Sequence, residues 1–219
     1  KLRKTMKKLL SIVSSLILVS TITAYAEIGI GISGAMMSID GDGTETTRTS
    51  GQVNNGSHSE DVTVPEVFIE LLGDNGGAFG VSYIPTRDLG SKSRSDTNAD
   101  GDTGTYKAQA ELDNVLKVYG DMPLGSLAGG TPYLSVGVQH VELVTLESLN
   151  SGATYPNKNL FGYSIGLGLK GDVPYGSNLY YKGEVTYTDF ETYEADGAGN
   201  KVSADLDATT ARLSIGYKF

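Results

Sequence analysis

The chain has 219 residues, with 17 Lys and Arg against 26 Asp and Glu, 29 Gly, 13 Tyr, and neither Cys nor Trp. It is 39% hydrophobic and 20% charged, and one apolar run, at residues 9–26, approaches the ~20 residues of a bilayer-crossing helix, so a polytopic helical membrane protein is excluded. The absence of cysteine removes disulfides, Cys-ligated zinc and thiol nucleophiles together, and the length suits a single domain with a closed core.

The first residues read as an export signal. Lys1, Arg3, Lys4, Lys7 and Lys8 precede an apolar stretch over 9–19, and Ala24-Tyr25-Ala26 puts small residues at the two positions that a signal peptidase inspects. Met6-Lys7-Lys8 reads as the translation start, with residues 1–5 upstream of it. A single-pass anchor is the alternative; the short apolar core and the cleavage site favour a signal peptide over residues 1–26 and a mature domain over 27–219. Cleavage after Ala26 leaves 12 cations against 26 acids. That balance excludes nucleic acid as a partner, because phosphate binding needs a basic face.

From Glu27 onward, residues of one character recur at every second position, the period of a strand with two unlike faces. Ile28, Ile30 and Ile32 alternate with Gly29, Gly31 and Ser33. Leu134, Val136 and Val138 alternate with Ser135, Gly137 and Gln139, and Ile165, Leu167 and Leu169 with Gly166, Gly168 and Lys170. The last segment alternates Ala211, Leu213, Ile215, Tyr217 and Phe219 with Arg212, Ser214, Gly216 and Lys218. The pattern predicts eight strands, at 27–39, 62–72, 78–87, 105–120, 132–145, 160–171, 178–190 and 205–219, and no helix.

Four links (40–61, 88–104, 146–159, 191–204) are long and polar. The three between them are short and rich in turn residues, such as Gly73-Asp74-Asn75-Gly76-Gly77. Alternating long and short links are the layout of an up-and-down transmembrane barrel with one rim in the periplasm and the other outside. Alternation alone does not say which face points inward, so a soluble barrel with an apolar interior is the competing arrangement.

Three features favour the membrane form. Charges of both signs lie deep in the strands, at Glu66, Glu70, Lys107, Glu111, Lys170, Lys182, Glu184 and Arg212, as suits a polar interior in which they neutralise one another. Aromatics gather at two levels: Phe79, Tyr119, Tyr133, Tyr181, Tyr217 and Phe219 near the short turns, and Tyr106, Phe161, Tyr163, Tyr187 and Phe190 near the long links, as interfacial girdles would. The third is that the chain ends in mid-pattern at Phe219.

The terminal strand, with Leu213, Ile215, Tyr217 and a final Phe219, resembles the C-terminal assembly signal of Gram-negative outer-membrane barrels. Residues 179–190, ending Tyr187-Thr188-Asp189-Phe190, resemble the penultimate strand of the OmpA/OmpX-like group of small outer-membrane β-barrel domains. The resemblance implies an all-β, eight-stranded antiparallel barrel in the cell outer membrane, monomeric, surrounded by outer-membrane lipid and lipopolysaccharide. It also implies the barrel-assembly machinery and periplasmic chaperones as partners in biogenesis. Members of that group include structural proteins, adhesins, small channels and a few lipid-modifying enzymes.

Four readings of function follow from the residues. An eight-stranded barrel is just wide enough for side chains to fill its lumen, so the interior charges are read as a satisfied plug and a structural role at the cell surface, with a narrow porin-like channel for small ions or solutes as the alternative. The loops form a third candidate surface, with Tyr155 and Tyr193 as its only obvious anchors. Asp96, Asn98, Asp100 and Asp102, with Gly101, match the first positions of an EF-hand-like calcium loop, but Lys107 stands where the bidentate Glu belongs; no cofactor beyond a weak loop calcium is expected. A catalytic reading would rest on His140 with Ser148 or Glu142, or on His58 beside Ser57, Ser59 and Glu60, and the expectation is that the chain is not an enzyme.

Overall fold

The computed structural model describes residues 26–47, 51, 53–97, 103–148, 155–174, 178–197 and 200–219. Residues 1–25 of the expected signal peptide, and Asn98 to Asp102 of the expected calcium loop, lie outside them. The strands are β1 (Ala26–Thr47), β2 (Val53–Gly73), β3 (Ala78–Ile84), β4 (Arg87–Thr97), β5 (Thr103–Pro123), β6 (Thr131–Ser148), β7 (Lys158–Asp172), β8 (Leu179–Phe190), β9 (Tyr193–Asp196) and β10 (Asn200–Lys218). All the described ladders are antiparallel; they run in the order β1-β2-β3-β5-β6-β7-β8-β10, with β4 on β5 and β9 on β10, and β10 returns to β1 to close the ring.

The ten strands fill eight positions in the wall. β3 and β4 are one wall strand interrupted at Pro85-Thr86, where proline has no N–H to give to a ladder. β8 and β9 are likewise one strand interrupted at Glu191-Thr192.

The faces are those of a membrane barrel. Ile28, Ile30, Ile32 and Met36 on β1, Val67 and Ile69 on β2, Leu167 on β7, Val185 on β8, and Leu213 and Ile215 on β10 all point outward and are exposed. Such a continuous apolar surface is far larger than a water-soluble monomer carries, and it makes a belt of the kind that lipid covers. The interior face carries Glu66, Glu70, Lys170, Lys182 and Glu184, all buried.

The strands run well past the predicted ends. The β1–β2 ladder continues to Thr46↔Val53 and the β1–β10 ladder to Thr47↔Asn200, so most of the expected long links 40–61 and 191–204 is sheet. These extensions have polar residues on their outer face and leave the membrane belt, so the apolar alternation used to find strands stops while the hydrogen bonding does not.

The outer part is built differently from the belt. β2 pairs with β3 only from Val67↔Tyr83 to Leu72↔Ala78; above that, β4 stays on β5, and among the described residues no ladder joins β2 to β4. Two sheets, β2-β1-β10-β9 and β4-β5-β6, therefore face each other above the belt. Between them lies an apolar cluster that includes Met37, Ile39, Val64, Ile84, Leu112, Val141, Leu143, Leu160, Phe190 and Tyr193.

β5 carries the one described non-glycine residue with positive φ, Asn114 at 51°. There the register with β6 shifts between Asp113↔Glu142 and Leu116↔His140, so that Asn114 and Val115 on β5 stand against Val141 alone on β6. Asparagine tolerates this left-handed conformation, and the extra residue is a β-bulge. Its consequence is a change of face: Leu112 and Val115 are both buried, and the inward set continues with Lys117, Tyr119 and Asp121.

Candidate functional site

The functional geometry lies inside the belt, where inward side chains of five strands meet. β2 supplies Glu66 and Glu70, β5 Lys117 and Asp121, β7 Lys170, β8 Lys182 and Glu184, and β10 Arg212; each of these eight side chains is 9% exposed or less. Arg212 bridges Glu66 through Nε at 2.5 Å and Glu184 through Nη1 at 2.6 Å. Lys182 Nζ reaches Glu70 at 2.9 Å and Asp121 at 2.8 Å. Lys170 lies 3.7 Å from Asp121, and Lys117 lies 3.8 Å from Glu184.

Four cations thus meet four carboxylates. Neutral partners complete the set: Tyr119 Oη donates to Glu70 at 2.8 Å, Ser135 Oγ donates to Asp121 at 3.0 Å, and Ser33 and Ser214 share a hydrogen bond of 2.9 Å. Lys182 Nζ also sits over the rings of Tyr119, Tyr133 and Phe68, at 4.9, 5.4 and 5.7 Å from their centroids. Burial of eight charges is tolerable only where each finds an opposite charge, and each does here, with Lys117 and Lys170 the more loosely held of the four cations.

Inward glycines make room for the aromatics. A Cβ on Gly80 would collide with the ring of Tyr119, one on Gly168 with Tyr133, and one on Gly31 with Phe68. The lumen is therefore tiled by flat rings laid over the bare backbone of neighbouring strands. Among the charges lies a cavity of ≈ 20 Å³ lined by Ser33, Glu66, Phe68, Lys117, Tyr119, Tyr133, Lys182, Glu184, Arg212 and Ser214. That is about room for one water. Phe68, at the level of the charges, packs with Leu72, Ala78 and Tyr180 below them; above sits the larger apolar cluster.

The placement of the expected network residues is mixed. Glu66, Glu70, Lys170, Lys182, Glu184 and Arg212 come together in the lumen. Glu111 does not: it precedes the bulge and alternates with the inward residues Ala110 and Leu112, which puts it on the outer face. Lys107 lies on β5, but its side chain is not among those described. Lys117 and Asp121 were missed, although unbroken alternation puts both on the same face as Glu111: Asp121 was read as the start of a turn, and the bulge turns the first half of the strand, with Glu111, to the other face. Asp113-Asn114, two turn-forming residues in mid-strand, was the available signal.

The aromatic girdles also need correction. Tyr119 and Tyr133 are lumen residues and Phe190 belongs to the inner apolar cluster, whereas Tyr187, Tyr217, Phe161 and Phe219 face outward. Ring size alone does not distinguish a girdle residue from one laid over a glycine. Tyr193 is buried and donates from Oη to Pro156 O at 2.8 Å, and Tyr155 packs against the same cluster, so neither is an exposed loop anchor.

The histidines stand apart from the charges. His140 packs edge-on against Phe161, with centroids 5.4 Å apart, and His58 Nε2 lies 3.4 Å from Glu60 in the exposed part of β2. On β10, Leu213, Ile215, Tyr217 and Phe219 all point outward.

No protein-family model matches the chain. A 25 kDa outer-membrane immunogenic protein of Brucella canis is 32% identical over 88 residues, which are 40% of this chain and 38% of that protein. The chain thus spans less than two fifths of that relative's length. Among solved structures, the outer membrane protein OprG of Pseudomonas aeruginosa aligns over 89% of this chain and 96% of its own, at 17% identity and a TM-score of 0.57. The outer membrane protein AlkL, determined by solid-state NMR in lipid bilayers, aligns over 91% and 94%, at 14% identity and a TM-score of 0.50. Both are outer-membrane barrels, and the likeness to them is one of fold.

Proposed function

We propose that this outer-membrane β-barrel protein is a closed barrel that acts through its presence in the membrane and its projecting surface, with the lumen sealed by the charge network. The observation that carries this reading is the mutual neutralisation of Arg212, Lys117, Lys170 and Lys182 by Glu66, Glu70, Asp121 and Glu184 around a cavity the size of one water. Apolar layers above and below add a second barrier to ions, which gain nothing there in place of their hydration. The upper sheets extend the surface outward: β1 continues eleven residues beyond Met36, about 35 Å along the strand. The word immunogenic in the name of the Brucella relative is in keeping with a barrel that presents such a surface.

Conductance tests the reading. The refolded protein in a planar bilayer, with empty bilayer as control, is expected to be silent, as are the Glu184→Gln and Arg212→Gln variants. A steady, charge-selective conductance in the unmodified protein, altered by either variant, would replace the plug with the alternative, a narrow channel whose site is the same set of charges.

A further inference from the structure

The turn between β5 and β6 does not resemble the polar turn between β2 and β3. Its sequence is Leu124-Gly125-Ser126-Leu127-Ala128-Gly129-Gly130, and both leucines are exposed, Leu124 at 54% and Leu127 at 65%. The turn is ordered by its own backbone: Leu124 N donates to Pro132 O at 2.8 Å, Leu127 N to Gly130 O at 2.9 Å, and Gly130 N to Leu127 O at 3.1 Å. Positive φ at Gly125 and Gly129, 128° and 102°, permits the tight path.

The turn also folds toward the outer wall instead of hanging below it. Tyr181, an outward residue of β8, donates its hydroxyl to Gly129 O, and the two groups meet over the bare outer face of Gly171 on β7. A Cβ on Gly130 would lie 3.2 Å from the side chain of Leu169, which belongs to the lipid-facing belt. The turn that carries the two exposed leucines is therefore attached to the apolar belt at Leu169 and Tyr181.

We infer that the β5–β6 turn is a membrane anchor, with Leu124 and Leu127 buried in the periplasmic leaflet of the outer membrane. The occupant of this apolar surface is lipid acyl chain. Leucines exposed to water would forfeit the free energy of burying two large aliphatic side chains, and the turn's attachment to the wall holds them where lipid already covers Leu169. Tyr181, which binds the turn through its hydroxyl and faces outward with its ring, suits the boundary between the acyl chains and the headgroups.

The chain has no cysteine, so single labels report one site each. Leu127→Cys and Leu124→Cys, each carrying a polarity-sensitive fluorophore, are compared with Asn75→Cys in the polar turn on the same rim, after refolding into phosphatidylcholine vesicles with iodide on both sides. Lipids brominated near the top of the acyl chain are expected to quench the labels at 124 and 127 at least twofold more than the label at 75. Iodide should quench them at least twofold less. Iodide quenching equal to that at 75 would place the leucines in water and overturn the inference, and so would protection from both quenchers, which would place them against protein. Heat-sensitive electrophoretic mobility confirms that each variant has folded before it is read.

Discussion

Lys170 and Lys182 stand directly opposite each other in the β7–β8 ladder, both pointing into the lumen, and Asp121 from β5 lies between them at 3.7 and 2.8 Å. Facing cations on neighbouring strands repel each other, and this pair is held by the Asp121 carboxylate between them, with Glu70 as a second partner of Lys182. Asp121 is completely buried. Its position depends on the bulge at Asn114, which puts the second half of β5 in phase with the lumen.

Asp121→Asn should therefore be among the most damaging single changes in the barrel. It leaves two buried lysines facing each other with only Glu70 within reach of Lys182, and the expected loss is about 3–5 kcal/mol. Urea unfolding in phospholipid vesicles, followed by electrophoretic mobility, measures it. The double change Asp121→Asn with Lys170→Met should recover part of the loss, and an unaltered midpoint in the single variant would show that the three charges are not coupled.

Gly80→Val tests the fit of rings over bare backbone. The new side chain would occupy the place of the Tyr119 ring, whose hydroxyl binds Glu70, and overpacking of this kind costs about 1–3 kcal/mol. Combining it with Tyr119→Ala should cost less than the two changes summed, because the ring that collides is gone. Additive losses would count against the contact.

The bulge makes a sharper prediction. Removing Asn114 forces Lys117, Tyr119 and Asp121 to the lipid side or Leu112 and Ala110 out of the apolar cluster, and neither arrangement is tolerable, so the deletion should not yield a heat-modifiable barrel. Asn114→Gly should fold normally, since glycine adopts positive φ freely, while Asn114→Val should lose about 1–2 kcal/mol. A folded deletion variant would mean that the register slips without cost.

Ile215 lies opposite Ile32 in the β1–β10 ladder, at the middle of the apolar belt. Ile215→Arg should cost about 2–4 kcal/mol, whereas Thr209→Arg, outward on the same strand but beyond Met36, should cost at most about 1 kcal/mol. Equal costs in reversible vesicle unfolding would remove the assignment of this belt to lipid.

Much of the fold was legible because a two-faced strand writes its period into the sequence: the Ile28-Ile30-Ile32 face and the Leu213-Ile215-Tyr217 face are both the lipid side. Six of the eight lumen charges followed from the same period. What did not follow is instructive. A bulge adds one residue without interrupting the alternation of types, so the step from Glu111 to Lys117 looked continuous although the face had changed. The outer sheets were read as loops because Asp40, Thr44 and Ser203 carry no apolar alternation on their outer side. Met37, Ile39, Leu206 and Val202, which face inward there, were too few per strand to announce a core.

The missing ladder between β2 and β4 separates two jobs that a uniformly closed barrel would have to do with one wall. Below Val67 every wall strand is zipped to a partner on both sides. Above it, β2 and β4 each pair, among the described residues, with a single neighbour, and across the gap Val62, Val64 and Leu89 join the same apolar cluster. Opening of the gap between β2 and β4 thus breaks no ladder of the belt, although β1, β2, β5, β6 and β10 run unbroken from the upper sheets into it. In the closed barrel proposed above, the exposed half could then vary in sequence or be grasped from outside while the hydrogen bonds of the belt stay in place.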